Sequence, residues 1–402
     1  MSLPLDGVRV LDCSRVLAGP VCGMHLADFG AEVIRIEPPG GALDRYLGPY
    51  AQDGRSLVPL TTNRNKLGAT LDMRSPAGRA LLMELVAQAD ALIHNFTPDS
   101  TEANILSYES LRSVNPTIVV GVISAFGVDG PYRQRSAVDN ILQAESGAMS
   151  YSGFPGSPPS RTGAAYVDVL CGAHAALGIL VALRDRERTG RGQMVDASLM
   201  DAAVTVIGAY AVAAEYAVTG QLRQPRGNKS YWAFSDTLQC KDGRWVAISI
   251  IGNGMWRNFC QAVGNPDWSR DPRFQNDDGR RVHMDELSDL VAAYLREHDS
   301  DDVLSRLVAA HVPCGRVNDV SEVISHPQVR ARDTLVDMAY PGIGVIPING
   351  LSVKLSRTGG SIRHRAPSVG EHDGFVWREL LGVSAERLEA ARARPDRPGK
   401  GR

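Results

Sequence analysis

Residues 7–41, "GVRVLDCSRVLAGPVCGMHLADFGAEVIRIEPPGG", set the architecture. "GVRVLDCS" (7–14) reads as a buried strand. "RVLAGPVCGMHLADFGA" (15–31) has helical character, and "EVIRIEPPGG" (32–41) is a second strand stopped by prolines and glycines. Strand, helix and strand in that order make a βαβ unit, which calls for a parallel sheet covered by helices.

The pattern continues outward from this unit. "ALLMELVAQADALIHNF" (80–96) is a helix running into a strand, and "PTIVVGVISAFG" (116–127) is another buried strand. "DNILQAESGAMSYSG" (139–153) reads as a helix ending at glycine. "VDVLCGAHAALGILVALRDRERTGRGQ" (167–193) is a long helix in which Gly172, Ala175, Ala176 and Gly178 allow close backbone approach. Its charged last turn and Gly190 make "TGRGQ" a C-cap, with Arg188 and Arg191 answering the helix dipole. "QMVDASLMDAAV" (193–204) is a strand entering a helix.

From about residue 220 the texture changes. "GQLRQPRGNKS" is a turn-rich linker, and "SDTLQCKDGRWVAISII" (235–251) is a hairpin around Lys241–Asp242–Gly243. Helical segments near 255–263, 284–297 and 300–310 complete a smaller α+β domain. The expected division is 1–200 for a large parallel-sheet domain, 201–225 for a helix and linker, and 226–316 for the small domain. Residues 317–390 return to complete the large domain, and the basic, proline-bearing tail 391–402 is expected to be disordered.

Bulk properties exclude several classes. The 402 residues are 44% hydrophobic and 22% charged, an ordinary globular balance. A net charge of −2 offers nothing to nucleic acid or to an anionic membrane. The N-terminus lacks a basic region followed by an apolar one, and "AAVTVIGAYAVAA" (202–214) is too short to span a bilayer. Six scattered cysteines without a Cys-x-x-Cys pair argue against a zinc site and fit a reducing cytoplasm. No histidine spacing suggests a metal.

The first βα turn invites a dinucleotide, with Glu37 in the position of the ribose partner. Gly19 and Gly23 nevertheless do not form Gly-x-Gly-x-x-Gly, and Pro20 sits where phosphate would be cradled. Neither a nucleophile elbow nor a Walker loop is present. In "TTNRNKLGATLDMRSP" (61–76), Arg64, Lys66 and Arg74 either hold a phosphorylated ligand or form a solvated surface. Asp168, in "GAAYVDVLCGAHAALG" (163–178), is a lone carboxylate among small and apolar residues. It is either a dipole partner in the first helical turn or a nucleophile able to form an acyl intermediate.

The stretches "LDGVRVLD", "RVLAGP", "LADFGAEVIRIEPPGG", "NRNK", "LDMRSPAG", "HNFTP", "SAFGVDGPY", "GRGQMVDASLMDA" and "HPQVRARD" occur in order. Together they resemble the family III CoA-transferases, the group of formyl-CoA transferase, carnitine CoA-transferase and α-methylacyl-CoA racemase. The resemblance implies a large Rossmann-like domain, a small domain and two chains interlocked as a homodimer. It implies Asp168 as nucleophile, passing through an aspartyl anhydride and an aspartyl-CoA thioester. It assigns CoA contacts to Arg15, Val16, Leu17, Ala18, Leu71, Arg74, Asn95 and Phe96, and an acidic active-site position to Asp139. Coenzyme A enters as substrate, with no resident cofactor or metal.

The chain also departs from that family's pattern. Val138 stands where racemases carry histidine, which removes a partner for two-base proton transfer. "FTPDSTEANIL" (96–106) lacks the family's glycine and arginine, and "RGNKSYWAF" (226–234) replaces a glycine-rich covering loop. The expectation is a CoA-transferase for small acids, with dicarboxylic acids as the candidate class and Arg45, Arg226 and Lys229 as candidates for a second carboxylate. A 2-methylacyl-CoA racemase and a non-catalytic acyl-CoA-binding protein are the alternatives.

Overall fold

The structure, a computed structural model, describes residues 2–392. The chain divides into two compact units. Among the described residues, the larger comprises 2–148, 161–221 and 327–392, and the smaller 149–160 and 222–326. The sequence placed the small domain at 226–316; residues 149–160 and 317–326 fall with it as well. Segment 149–160 joins it through the Gly227 amide donating to the Gly153 carbonyl and through an edge-on Tyr151–Tyr231 ring contact.

The larger unit is built on six parallel strands: β1 (Arg9–Asp12), β2 (Glu32–Glu37), β3 (Lys66–Thr70), β4 (Ala91–His94), β5 (Val119–Ser124) and β6 (Met194–Ser198). Their order is β3-β2-β1-β4-β5-β6. Alternate residues of the inner strands face opposite sides of the sheet, and both sides are apolar. Leu11, Ile34, Leu92 and Val120 enter one core; Val10, Val33, Ile93 and Val119 enter the other. Uninterrupted apolar strands therefore require helices on both faces.

Helix α1 (Ala18–Asp28) follows β1, and α2 (Pro76–Val86) follows β3. Further on come α3 (Asp139–Glu145), α4 (Tyr166–Thr189), α5 (Leu199–Ala209) and α6 (Val212–Thr219). Helix α4 is long and apolar enough to cross a membrane by composition, but Cys171, Ala175, Ile179 and Leu183 are buried in the second core with α1 and α5. Its small residues serve this packing. A Cβ on Gly172 would lie 2.5 Å from the Ala18 carbonyl oxygen, and one on Gly178 would lie 2.5 Å from Val195. Gly190 ends α4 in the left-handed conformation, as its sequence signature predicts.

The return segment completes this unit. A hairpin of β10 (Leu335–Tyr340) and β11 (Gly344–Asn349) leads back to the edge of β3. There His372 accepts from the Gly68 amide and Asp373 from the Thr70 amide. Residues 391 and 392 were assigned to a disordered tail, yet they end a helix, Ala385–Arg392, whose Leu388 and Ala391 are buried in the first core. The rest of that expected tail lies outside the described residues.

The smaller unit has a three-stranded antiparallel sheet of β7 (Phe234–Gln239), β8 (Trp245–Ile250) and β9 (Cys314–Arg316). The hairpin at Lys241–Asp242–Gly243 links β7 to β8, with Gly243 at φ 79°. Trp256, Phe259, Leu287, Val291 and Leu307 pack with Phe234 and Ile248 as its own core.

Candidate active site

In an open parallel sheet, ligands bind beyond the carboxyl ends of the strands where the strand order reverses. Here that point lies between β1 and β4, neighbours in the sheet although β2 and β3 come between them in the chain. Arg15–Ala18 leave β1, and Asn95 and Phe96 leave β4. The Asn95 side chain joins the two turns: its oxygen accepts from the Arg15 amide at 2.9 Å, and its nitrogen donates to the Arg15 carbonyl at 2.7 Å. The next residue, Val16, is β-branched yet sits at φ 69°. Such a conformation is strained by about 1–3 kcal/mol and persists where its surroundings impose it. The Asn95 clamp is one such constraint. Helix α1 then begins without a side-chain cap.

Two cavities meet at this turn. One of about 170 Å³ is lined by Asp168 and by Arg15–Ala18, Asn95, Phe96, Ser124, Arg135, Val138 and Leu199, among others. The second, of about 310 Å³, is lined by Leu71, Arg74, Cys13 and Glu102. Arg15 and Phe96 line both, with the guanidinium carbon 4.5 Å from the ring centroid. Thus all eight residues assigned to CoA by resemblance border one of two cavities that share a wall.

Asp168 is half-buried in the first turn of α4. The sequence suggested that the helix N-terminus would keep its carboxylate ionised. In the fold, Asp139 occupies that role instead. Its Oδ2 accepts from the Val167 amide at 2.8 Å and from the Asp168 amide at 3.2 Å. Asp139 is the first residue of α3, buried, and also bonded to the Gln143 side chain. It therefore caps a helix 28 residues further on rather than its own. Burial, followed by the Asp139 charge, pushes the Asp168 carboxyl up to about 7. A carboxylate with that value is half ionised at neutral pH and more nucleophilic than an ordinary aspartate.

Other candidates are placed elsewhere. Arg64 and Lys66 are neither phosphate ligands nor a solvated face. Both are buried: Arg64 grips Asp28 with two N–H groups, and the Lys66 Nζ donates to Asp12, Pro20 and Asn63 at 2.7–2.8 Å. Buried charges require such partners, and acidic residues on β1 and α1 supply them. Arg74 is exposed, borders the larger cavity and pairs with Glu102. Arg45 borders neither cavity; it holds both oxygens of buried Glu37 and the Pro367 carbonyl. Arg226 and Lys229 belong to the smaller unit, where Arg226 lies over Tyr231 and Lys229 pairs with Asp285. Arg135 was not singled out in the sequence: it sits in a loop without periodicity, and only the fold brings it to the Asp168 cavity.

Comparison with known proteins identifies the family. Residues 5–373 match the family model described as CoA-transferase family III. The chain belongs to that family. It is 36% identical over 393 residues to succinyl-CoA–D-citramalate CoA-transferase of Chloroflexus aurantiacus, covering 97% of each chain. It is 33% identical to the succinyl-CoA–L-malate CoA-transferase alpha subunit of Chloroflexus aurantiacus, covering 98% of this chain and 92% of that one. A CaiB/BaiF family protein from Brucella suis has a similar structure, with a TM-score of 0.83 and 31% identity, over 94% of this chain and all of that one. The protein is thus a family III CoA-transferase, whose substrates are CoA thioesters.

Proposed function

We propose that this transferase moves CoA between small dicarboxylic acids through covalent intermediates on Asp168. The observation that carries this is a half-buried carboxylate, Asp168, at the wall of a cavity continuous in its lining with a second one, the two bordered by every residue assigned to CoA. The relatives named above act on succinyl-CoA with citramalate or malate, which supports the dicarboxylic class.

Asp168 Oδ attacks the thioester carbonyl, and CoA thiolate leaves, giving a mixed anhydride. The thiolate attacks the aspartyl carbonyl, forming an aspartyl-CoA thioester and releasing the donor carboxylate. The acceptor carboxylate attacks that thioester, expelling thiolate, which then attacks the acceptor's acyl carbon and restores Asp168. No net proton is consumed. Anhydrides hydrolyse, so a cavity of about 170 Å³ walled by Leu17, Ala18, Phe96, Ala125 and Leu199 serves by limiting water. Backbone N–H groups at the uncapped start of α1 are suited to the oxyanion. Asp139 holds α4 in place, and its repulsion of the Asp168 charge is relieved when attack neutralises that charge.

Val138, in place of the racemase histidine, borders the same cavity, and no histidine is among its lining residues. That favours transfer over racemisation. The enzyme is further proposed to act in the cytoplasm as an interlocked homodimer. Six free cysteines suit a reducing compartment, and Leu177 and Val181, each 60% exposed on α4, suit a second copy. The test of the mechanism is trapping. Enzyme mixed with succinyl-CoA and then treated with borohydride or hydroxylamine should carry a modified aspartate in the peptide containing residue 168. An unmodified peptide under turnover conditions rules out the covalent route.

A further inference from the structure

We propose that Arg135 binds the distal carboxylate of the dicarboxylic acyl group held at Asp168, and so selects dicarboxylic over monocarboxylic acids. The inference rests on the transferase function proposed above and names the recognition element of that site.

Two cationic side chains line the Asp168 cavity, Arg15 and Arg135. Arg15 also lines the larger cavity and stacks on Phe96, which places it on the wall shared with the CoA side. Arg135 lines the Asp168 cavity but not the larger one. A carboxylate entering a cavity walled by Leu17, Ala125, Ala137 and Leu199 loses hydration, and an arginine fork is the group best able to replace it.

Arg135 is held ready for this. Its guanidinium carbon lies 5.2 Å from the Phe126 ring centroid and 5.4 Å from that of Tyr132, two rings that meet edge-on. Glu145 takes one N–H from each terminal nitrogen. A guanidinium has five N–H groups, so three remain for a ligand. The aromatic cradle and Glu145 fix the plane of the fork before substrate arrives, which lowers the entropy lost on binding. Hydroxyls of Ser124, Ser136 and Thr97 border the same cavity and suit an acid bearing additional polar groups. Of the cations first considered for this role, Arg45 holds Glu37 and does not line this cavity, and Arg226 and Lys229 belong to the smaller unit.

The test compares isotope exchange of labelled succinate into succinyl-CoA with exchange of labelled butyrate into butyryl-CoA, in the full chain and in Arg135→Gln. Loss of a charge-assisted hydrogen-bonded pair should lower kcat/KM for the succinate exchange about 100-fold, through KM first. The butyrate exchange should change less than about 3-fold, and calorimetric affinity for free CoA should be unaltered. Arg135→Lys keeps the charge without the fork; it should fall between the two for succinate and provides the measurement if the glutamine variant does not fold. Equal loss in both exchanges, or weakened binding of free CoA, would overturn the assignment and give Arg135 to the thioester or nucleotide. A wild-type protein that exchanges neither acid would remove the proposed dicarboxylate substrate class, and this inference with it. A wild type that exchanges both, with the succinate-to-butyrate ratio unchanged in the variant, removes only the inference.

Discussion

Replacing Asp168 with asparagine removes a charge that the fold disfavours, so it should abolish activity while making the protein more stable. The carboxyl is raised from 3.8 to about 7, roughly three pH units. At 1.36 kcal/mol per unit this corresponds to about 4 kcal/mol. The side chain is only half-buried, so solvent screening reduces the expected gain to about 2 kcal/mol. The sign follows from proton binding. Between pH 4 and 7 the folded protein retains a proton that the unfolded chain releases, so wild-type stability falls as pH rises through this window. Asparagine has no such titration. The variant should therefore match the wild type near pH 4 and exceed it by about 2 kcal/mol at pH 8. Urea unfolding at the two pH values measures the difference, and CoA transfer assayed in parallel should fall to background. Asp168→Ala serves as the control against deamidation of the asparagine. If the stability difference were the same at pH 4 and pH 8, the carboxylate would not be held in a disfavoured charged state, and the electrostatic account of the site would fail.

Two further outcomes follow from the same charges. In the wild type, kcat/KM for the acyl-CoA should decline on the acid side with an apparent pKa near 7, because protonated Asp168 does not attack; Asp139→Asn should move that limb to lower pH, and an unmoved limb would detach Asp139 from the nucleophile. His94, at the end of β4, has both ring nitrogens buried without a partner, and burial pushes it down to about 4. The unfolded chain binds a proton below pH 6.5 that the folded protein refuses, so stability should be complete above pH 6.5 and fall by up to about 3 kcal/mol by pH 4. His94→Leu should flatten that decline in acid unfolding curves, whereas an unchanged slope would place the acid-sensitive group elsewhere.

The arrangement at Asp168 separates two tasks commonly given to one residue. A carboxylate at a helix N-terminus is ordinarily stabilised by the free amides and the dipole. Here Asp139 takes those amides, so Asp168 shares the position without their hydrogen bonds and remains the more reactive of the two. The buried Lys66–Asp12 and Arg64–Asp28 pairs contribute differently: they brace β1 and α1, which carry the Arg15–Ala18 turn. The motif "NRNK", which suggested a ligand, is thus an internal brace.

Much of this was legible from residue order alone. Apolar strands of four to six residues alternating with helices required a doubly covered parallel sheet. Gly172, Ala175 and Ala176 announced a closely packed helix, and Gly190 announced its end. Motifs in register along the chain pointed to the family and to Asp168. These are local or periodic properties, and a one-dimensional pattern retains them. The environment of Asp168 is of another kind. It depends on a carboxylate 29 residues earlier, on apolar walls contributed by the ends of β1, β4 and β5, and on how much water the fold removes. Whether Arg64 and Lys66 meet solvent or Asp28 and Asp12 depends in the same way on partners 36 and 54 residues away. Arg135 reaches the nucleophile's cavity only through the path of the loop after β5. Burial and charge act through space, so residue order singled out Asp168 as the proposed nucleophile, while its proton affinity and its cationic neighbour arose from long-range packing.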